Sequence, residues 1–183
     1  MDLGLKDKVV VITGGTAGIG EACALAFSRE GAHVAVCGRT QKRIAAFKER
    51  CAQAGADVFV KQADAGQAEE LQAFADAVVS RFGTIDVWVN NAGINVGKRL
   101  MEITPEDWQQ TVAVNLSGVL FGTQIAARAM GEKGGVILNA SSFASLIPSV
   151  GGTMYGATKA AVSNMTKTMA AELTPKHIRV NAY

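Results

Sequence analysis

The chain has 183 residues, of which 49% are hydrophobic, and a formal net charge of +2. This length suits one sizeable core, so we expect a single domain over residues 1–183. No charged tail suggests a nucleic-acid partner, and no stretch of about 18 uncharged apolar residues predicts a membrane span. We see no signal peptide and no metal spacing among Cys23, Cys37 and Cys51. These features predict a cytoplasmic protein with reduced thiols and no metal site.

Short β-branched runs alternate with helix-length segments along the chain. The runs cover residues 9–12, 34–36, 58–60, 87–89, 136–138 and 178–180, and the helical patterns lie near 18–30, 41–54, 67–82, 105–131 and 153–173. Most runs are apolar throughout, as expected of strands that are buried on both faces of a parallel sheet. Thr104-Pro105 indicates a helix start, and Thr174-Pro175 indicates a helix end. The alternation predicts an α/β fold with a doubly wound parallel sheet, the Rossmann fold.

A glycine-rich turn follows the first predicted strand. Its residues Gly14, Gly18 and Gly20 have the spacing G-x-x-x-G-x-G, which differs from the G-x-G-x-x-G fingerprint of many dinucleotide sites. Glycine lets a backbone approach a pyrophosphate, and the N-terminus of the next helix supplies amide donors and a positive dipole. We therefore predict a nucleotide site here; the alternative is a tight glycine turn without a ligand.

The second predicted strand ends at a cation. In this fold, an NAD site places an acid on the ribose about twenty residues beyond the glycine turn. Here Arg39 stands at the strand end, and Lys42 and Arg43 follow it. Since a guanidinium suits a 2′-phosphate, the sequence favours NADP(H) over NAD(H). The alternative is that these cations form the solvated first turn of a helix.

A proton-transfer group is indicated near the other end of the chain. Tyr155 and Lys159 are four residues apart, and Ser142, the second residue of the pair Ser141-Ser142, lies thirteen positions before Tyr155. A free phenol ionises only near pH ~10, but a lysine one helical turn away favours the phenolate. Taken singly, each residue has an ordinary structural explanation. Together they predict proton exchange with a carbonyl or an alcohol.

With these motifs in order, the chain resembles the short-chain dehydrogenase/reductase family, and within it the 3-oxoacyl-carrier-protein reductase-like group. The matching residues are the turn Thr13–Gly20, Asp64, the run Asn90–Gly93, Asn115, Ser142, Tyr155, Lys159 and Arg179–Ala182. The resemblance implies an oxidoreductase that moves hydride between NADP(H) and a small-molecule carbonyl or secondary alcohol.

The resemblance also implies roles for individual residues. Tyr155 would be the general acid/base, Ser142 would orient the substrate oxygen, and Asn115 would hold a water linked to Lys159. Residues implied in cofactor binding are Gly14, Thr16, Gly18, Ile19, Gly20, Arg39, Thr40, Asp64, Asn91, Ala92, Gly93, Tyr155 and Lys159. Two alternatives stay open: the run Asn90–Gly93 either stabilises the sheet only or also lines the cofactor, and Asp64 is either near the adenine or a plain turn aspartate.

The chain departs from the family pattern after its sixth predicted strand. Family members usually continue with a Pro-Gly turn, lid helices and a seventh strand, whereas this sequence ends at Tyr183. We expect the lid and the seventh strand to be missing, and we interpret the chain as an incomplete copy of a longer one. If it truly ends there, the alternative function is a non-catalytic NADP-binding sensor or interaction module.

Two further expectations concern surfaces. The helices near 105–131 and 153–173 resemble those that pair between subunits in the family, which implies a homo-oligomer, a tetramer. Five apolar residues after Ser142 predict an apolar wall near the site, namely Phe143, Leu146, Ile147, Val150 and Met154. The identity of the substrate does not follow from these residues.

Overall fold

The computed structural model describes residues 3–183 and contains one six-stranded sheet. The strands are β1 Val9–Thr13, β2 His33–Gly38, β3 Val58–Gln62, β4 Val87–Asn90, β5 Gly135–Asn139 and β6 Ile178–Ala182. All paired strands run parallel, in the order β3-β2-β1-β4-β5-β6. The direction of winding reverses between β1 and β4, and in this fold ligands bind at such a switch point, beyond the carboxyl ends of the strands.

Helices cover both faces of the sheet. The α-helices are α1 Gly18–Arg29, α2 Gln41–Gln53, α3 Ala68–Phe82, α4 Pro105–Val112, α5 Gly118–Met130 and α6 Thr153–Leu173. A π-helical segment, Ala113–Ser117, joins α4 directly to α5. Short 3-10 turns cover Leu100–Glu102, Gly131–Lys133, Phe143–Ser145 and Thr174–Lys176. The predicted doubly wound α/β fold is confirmed.

Local sequence signals account for several helix ends. The Thr104 hydroxyl accepts from the Asp107 amide at 3.2 Å, and the Asp107 carboxylate accepts from the Thr104 amide at 3.0 Å, so α4 begins with a reciprocal cap. α6 ends directly before Thr174 and Pro175, as predicted. α1 begins at Gly18, as the helical pattern near 18–30 predicts, so this glycine belongs to the first turn of the helix.

The strands alternate between two apolar clusters, one on each face of the sheet. Val9 and Val11 pack with α3, α5 and α6, whereas Val10 and Ile12 pack with α1 and α2. Side chains of successive strand residues point to opposite faces, so continuous apolar runs are required where both faces are covered. The carboxyl edge of the sheet is left as the accessible crevice. Across residues 3–183, no helix is both long and apolar enough to span a membrane.

Candidate active site

The glycine turn packs too tightly for side chains. A Cβ on Gly15 would lie 2.6 Å from Val36, and one on Gly20 would lie 2.6 Å from the Gly14 carbonyl oxygen. Gly14 itself has a φ of +65°, in the region that favours glycine. The main chain at the end of β1 therefore forms an open cradle of backbone groups that meets the N-terminal end of α1.

Thr13 and Asn91 hold this turn against β4. The Thr13 hydroxyl accepts from the amides of Asn91 and Ala92, both at 3.1 Å. The Asn91 side chain donates to the carbonyl oxygens of Thr13 at 2.9 Å and Gly14 at 3.2 Å. Asn91 thus shapes the cradle as well as lining it, while Thr13, which we had not assigned to the site, anchors it.

Asn90 has a different role from Asn91. It is buried, accepts from the Trp88 indole at 2.7 Å and donates to Asn139 at 2.8 Å and to Thr123 at 3.1 Å. These bonds join β4 to β5 and α5 inside the protein. The two interpretations of the Asn90–Gly93 run are therefore divided between its residues: Asn90 stabilises the sheet, and Asn91 to Gly93 line the crevice.

A cavity of about 290 Å³ lies in the crevice beyond the carboxyl ends of the strands. Ten residues that we predicted to bind the cofactor line it, namely Gly14, Thr16, Ile19, Gly20, Arg39, Thr40, Asp64, Asn91, Ala92 and Gly93. Gly18, Tyr155 and Lys159 are not among its lining residues. The lining also includes Arg43, one of the cations after β2, and six residues outside the predicted set, namely Ala17, Gly38, Ala63, Ala65, Ile94 and Val114. A Cβ on Gly38 would lie 2.5 Å from the Thr16 hydroxyl, so a side chain at this position would displace Thr16 from the cavity lining.

A charged pair lies at this cavity. A guanidinium nitrogen of Arg39 is 3.6 Å from an Asp64 carboxylate oxygen, and the two side chains are 45% and 29% exposed. The other Asp64 oxygen accepts from the Gly66 amide at 2.8 Å. Asp64 is therefore a turn aspartate beyond the end of β3 that also lines the cavity. Its place near the adenine stays a prediction. Exposed ion pairs contribute little to stability, so Arg39 can exchange its partner for another anion.

Lys159 is buried beside Tyr155 on α6. It is only 3% exposed, its ammonium donates to the Ala140 carbonyl oxygen at 2.6 Å, and it lies 5.5 Å from the centre of the Tyr155 ring. Burial lowers the pKa of Lys159. The Ser142 hydroxyl, near the start of the connection from β5 to α6, accepts from the Ala144 amide at 3.2 Å. That bond uses an acceptor site and leaves the hydroxyl hydrogen of Ser142 to donate.

Asn115 lies in the π-helical segment and is fully buried. Its side chain accepts from the Ile94 amide at 2.8 Å and donates to the Ile94 carbonyl oxygen at 2.9 Å and to Thr158 at 3.2 Å. Both amide hydrogens are therefore engaged in fixing the loop after β4 to α6. A Cβ on Gly93 would lie 3.5 Å from both Asn115 and the Lys159 ammonium, so these two groups border the same small space. The water on Asn115 stays a prediction.

Tyr183 also reaches the site. Its hydroxyl donates to the Asn91 side-chain oxygen at 3.4 Å, across 92 positions of sequence. Burial, with a smaller effect of Cys23, raises the pKa of Tyr183 to about 12, so the phenol stays protonated and acts as a donor. No sequence motif could have indicated this contact, because only the strand order of the sheet brings β6 near β4.

The expected apolar wall stays a prediction for four of its five residues. Phe143 and Leu146 are 74% and 87% exposed, and Ile147 and Val150 are exposed with them. Met154 was wrongly included, because it is 2% exposed and its sulfur lies 4.0 Å from the Thr111 hydroxyl in the interior. Within residues 3–183, no group of three or more His, Cys, Asp or Glu side chains is placed to hold a metal.

Comparison with known proteins decides the family. The family model for short chain dehydrogenases matches residues 8–183. The chain belongs to the short-chain dehydrogenase/reductase family. This short-chain dehydrogenase/reductase is 39% identical over 181 residues to 3beta-hydroxysteroid dehydrogenase 1 of Eggerthella lenta, covering 97% of this chain and 69% of that protein. It is 39% identical over 178 residues to the 3-oxoacyl-[acyl-carrier-protein] reductase of Staphylococcus aureus, covering 96% and 72%.

Solved structures agree with this assignment. A short-chain type dehydrogenase/reductase from Mycobacterium marinum aligns with a TM-score of 0.91 at 34% identity, over 97% of this chain and 74% of that one. A 7 alpha-hydroxysteroid dehydrogenase complexed with NADH and 7-oxo glycochenodeoxycholic acid aligns with a TM-score of 0.90 at 34% identity, over 97% and 70%. The chain is therefore an oxidoreductase of the NAD(P)-dependent kind that acts on CH–OH or C=O groups.

Proposed function

We propose that this oxidoreductase uses NADP(H) and that Tyr155 exchanges the proton with a carbonyl or secondary alcohol substrate. The observation that carries the proposal is the buried Lys159 ammonium, 5.5 Å from the Tyr155 ring. A positive charge held in a dry environment favours the phenolate, which is the form that must be reached when a phenol gives up its proton. When bound, the nicotinamide supplies or accepts the hydride.

Four residues have proposed roles in proton transfer and substrate orientation. Tyr155 donates its proton to the carbonyl oxygen during reduction and removes a proton from the alcohol during oxidation. Ser142 donates its free hydroxyl hydrogen to the same oxygen and so orients the substrate. Lys159 and Asn115, which border one space beside Gly93, would connect this proton to solvent through a water. Lys159 also holds the ribose of the cofactor.

The preference for NADP(H) is supported by the cations at the cavity. Arg39 and Arg43 both line it, and Arg39 is loosely paired with Asp64. A guanidinium binds phosphate through charge-assisted, often bidentate hydrogen bonds, which are stronger than its exposed pairing with a carboxylate. The cradle of glycine backbone next to these cations fits a pyrophosphate, since no side chain fills it.

An apolar substrate is supported by the connection from β5 to α6. In the segment after Ser142, the side chains of Phe143, Leu146, Ile147 and Val150 are exposed, so they are available for contact with an apolar substrate. Two relatives named above act, by their names, on a 3beta-hydroxysteroid and on 3-oxoacyl-[acyl-carrier-protein]. We therefore propose a carbonyl compound with a large apolar body.

The chain is further proposed to be one nucleotide-binding domain that assembles as a homotetramer in the cytoplasm. Leu120 and Phe121 of α5 are 37% and 38% exposed on the outer face of the protein, which suits pairing between subunits. Cys23, Cys37 and Cys51 are free thiols, which would suit a reducing compartment. Light scattering of the native protein tests the assembly.

A tracer experiment tests the proposed reaction. NADPH carrying deuterium at C4 is incubated with the protein and with a panel of 3-oxoacyl thioesters and 3-oxosteroids. The proposal predicts deuterium on the carbinol carbon of the product, from one of the two C4 positions only. Tight NADPH binding without transfer to any carbonyl would instead support the non-catalytic sensor or interaction module. A preference for NADH would contradict the cofactor assignment alone.

A further inference from the structure

Side-chain hydrogen bonds tie β5 and the residues after it to α6. Asn139 donates to the Thr166 hydroxyl at 3.0 Å, and the Ser141 hydroxyl lies 2.5 Å from the Ser163 hydroxyl. Residues 139 and 141 project from the same side of an extended chain, and residues 159, 163 and 166 share one face of a helix. The two hydrogen bonds connect the end of β5 to α6 at successive positions along the helix. The bond between Ser141 and Ser163 is the one nearer to Lys159.

Ser141 also contacts Lys159. Besides contacting Ser163, the Ser141 hydroxyl donates to the Lys159 carbonyl oxygen at 3.3 Å. A hydroxyl has one hydrogen to give, so the hydrogen between the two serines comes from Ser163. The Lys159 ammonium donates to the carbonyl oxygen of Ala140. Two consecutive residues, Ala140 and Ser141, therefore hold Lys159 at its side chain and at its main chain.

We propose that the Ser141–Ser163 hydroxyl pair positions Ser142 relative to Tyr155 and Lys159. This inference rests on the proposed function, in which one substrate oxygen must be within hydrogen-bond reach of Ser142 and Tyr155 together. Ser142 follows β5 and Tyr155 belongs to α6, so their separation depends on how the strand end is fixed to the helix. A misplacement of about 1 Å at a reacting centre is enough to slow a reaction strongly.

The hydroxyl of Ser142 does not itself provide this connection. Its bond goes to the Ala144 amide, within the same segment of chain. Ser141 directly precedes it and reaches α6, and both Ser141 and Ser163 are half-buried, where a hydrogen bond is shielded from water. Ser141 and Ser163 touch neither substrate nor cofactor in this account, so they are positioning residues.

Four variants test the pair: Ser163→Ala, Ser141→Ala, the double variant and Ser163→Thr, which keeps the hydroxyl. Ser80→Ala, on the exposed side of α3, is the matched control. Alanine is the better helix former, so Ser163→Ala is expected to fold. We expect kcat with NADPH and a carbonyl substrate to fall about three- to tenfold in each alanine variant, with KM and NADPH affinity within about twofold. The double variant should lose no more than the worse single one, and Ser163→Thr should recover most of kcat.

Three results would overturn the inference while leaving the proposed function intact. They are full kcat in both single variants, losses that multiply in the double variant, and a loss that the threonine does not recover. Absence of turnover in the wild-type protein with every carbonyl tested is a separate result. It would overturn the proposed function, and the positioning role with it.

Discussion

Arg39 and Asp64 form an ion pair at the cavity, with 3.6 Å between a guanidinium nitrogen and a carboxylate oxygen. The cation that we assign to the 2′-phosphate therefore already has an anionic partner. Because both side chains are partly solvated, the pair is weak, and a phosphate with charge near −2 competes well for the guanidinium. Asp64 would then lie close to the bound phosphate. Repulsion between these two negative charges is expected to lower the affinity for NADP, so Asp64 contributes little to a preference for NADP over NAD.

Replacing Arg39 with aspartate should reverse the cofactor preference. The change removes the phosphate partner, adds a carboxylate that can accept from a ribose hydroxyl, and places two acids together at the cavity. We expect the ratio of dissociation constants for NADP and NAD to move toward NAD by at least about tenfold, the size of one charge-assisted hydrogen bond. Lys42→Ala, a nearby cation that does not line the cavity, is the control. An unchanged ratio in Arg39→Asp would mean that Arg39 is a solvated surface cation.

Gly20→Ala should impair cofactor binding directly. The Cβ of the alanine would overlap the Gly14 carbonyl oxygen and the side-chain nitrogen of Asn91, so the glycine turn and the Asn91 side chain would have to move apart. We expect NADPH affinity to fall about tenfold or more, since each backbone donor withdrawn from a phosphate costs about 1.5–3 kcal/mol. NADPH fluorescence titration gives the measurement.

Gly55→Ala provides the contrast for that experiment. Gly55 follows α2 with a φ of +65°, has open space where a Cβ would lie, and is not among the residues that line the cavity. Alanine there should cost about 1–2 kcal/mol of unfolding free energy through backbone strain and leave NADPH affinity unchanged. Equal effects of the two variants on affinity would show that the tight packing at Gly20 is unimportant for the site.

Asp86 should make stability depend on acid pH. Burial by itself would raise the pKa of Asp86, but hydrogen bonds from the Val9 amide and Lys133, with the nearby charge of Lys8, outweigh it and lower the pKa below 3.8. A lowered folded-state pKa stabilises the protein above the unfolded value, and this stabilisation is lost as the pH falls through the folded value.

The test for Asp86 compares Asp86→Asn with Asp57→Asn, a change at an exposed site. At pH 7 we expect Asp86→Asn to lose about 1–2 kcal/mol in urea unfolding, with little loss in the control. The difference from wild type should shrink as the pH falls below 3.8, the ordinary pKa of an aspartate side chain. A difference that stays constant down to pH ~2 would contradict the assignment of these bonds to the ionised form.

The sequence predicts the strands and the glycine turn well because each depends on local chemistry. Continuous β-branched runs require burial on both faces, and the cap at Thr104 is a pattern within four residues. The division of labour between Asn90 and Asn91 was not predictable in the same way. Both residues are asparagine at the end of one strand, and only the pleat, which turns one inward and one toward the cradle, separates them.

Contacts between distant segments account for what the sequence could not predict. Met154 is the last of the five residues predicted for the apolar wall, yet as part of the first turn of α6 it points into the core. The engagement of both Asn115 amide hydrogens depends on the loop at Ile94, 21 positions away. The contact of Tyr183 with Asn91 depends on the strand order. None of these positions carries a local signal, so they require the folded chain.

The most direct test of the central claim is the turnover of Tyr155→Phe. The ring still packs on α6, but its exchangeable proton is removed. With a carbonyl substrate that wild type reduces, we predict that kcat falls by about 10²–10⁴ while the dissociation constant of NADPH stays within a few-fold. Activity near the wild-type level in Tyr155→Phe, with cofactor binding unchanged, would show that another group handles the proton and would contradict the mechanism.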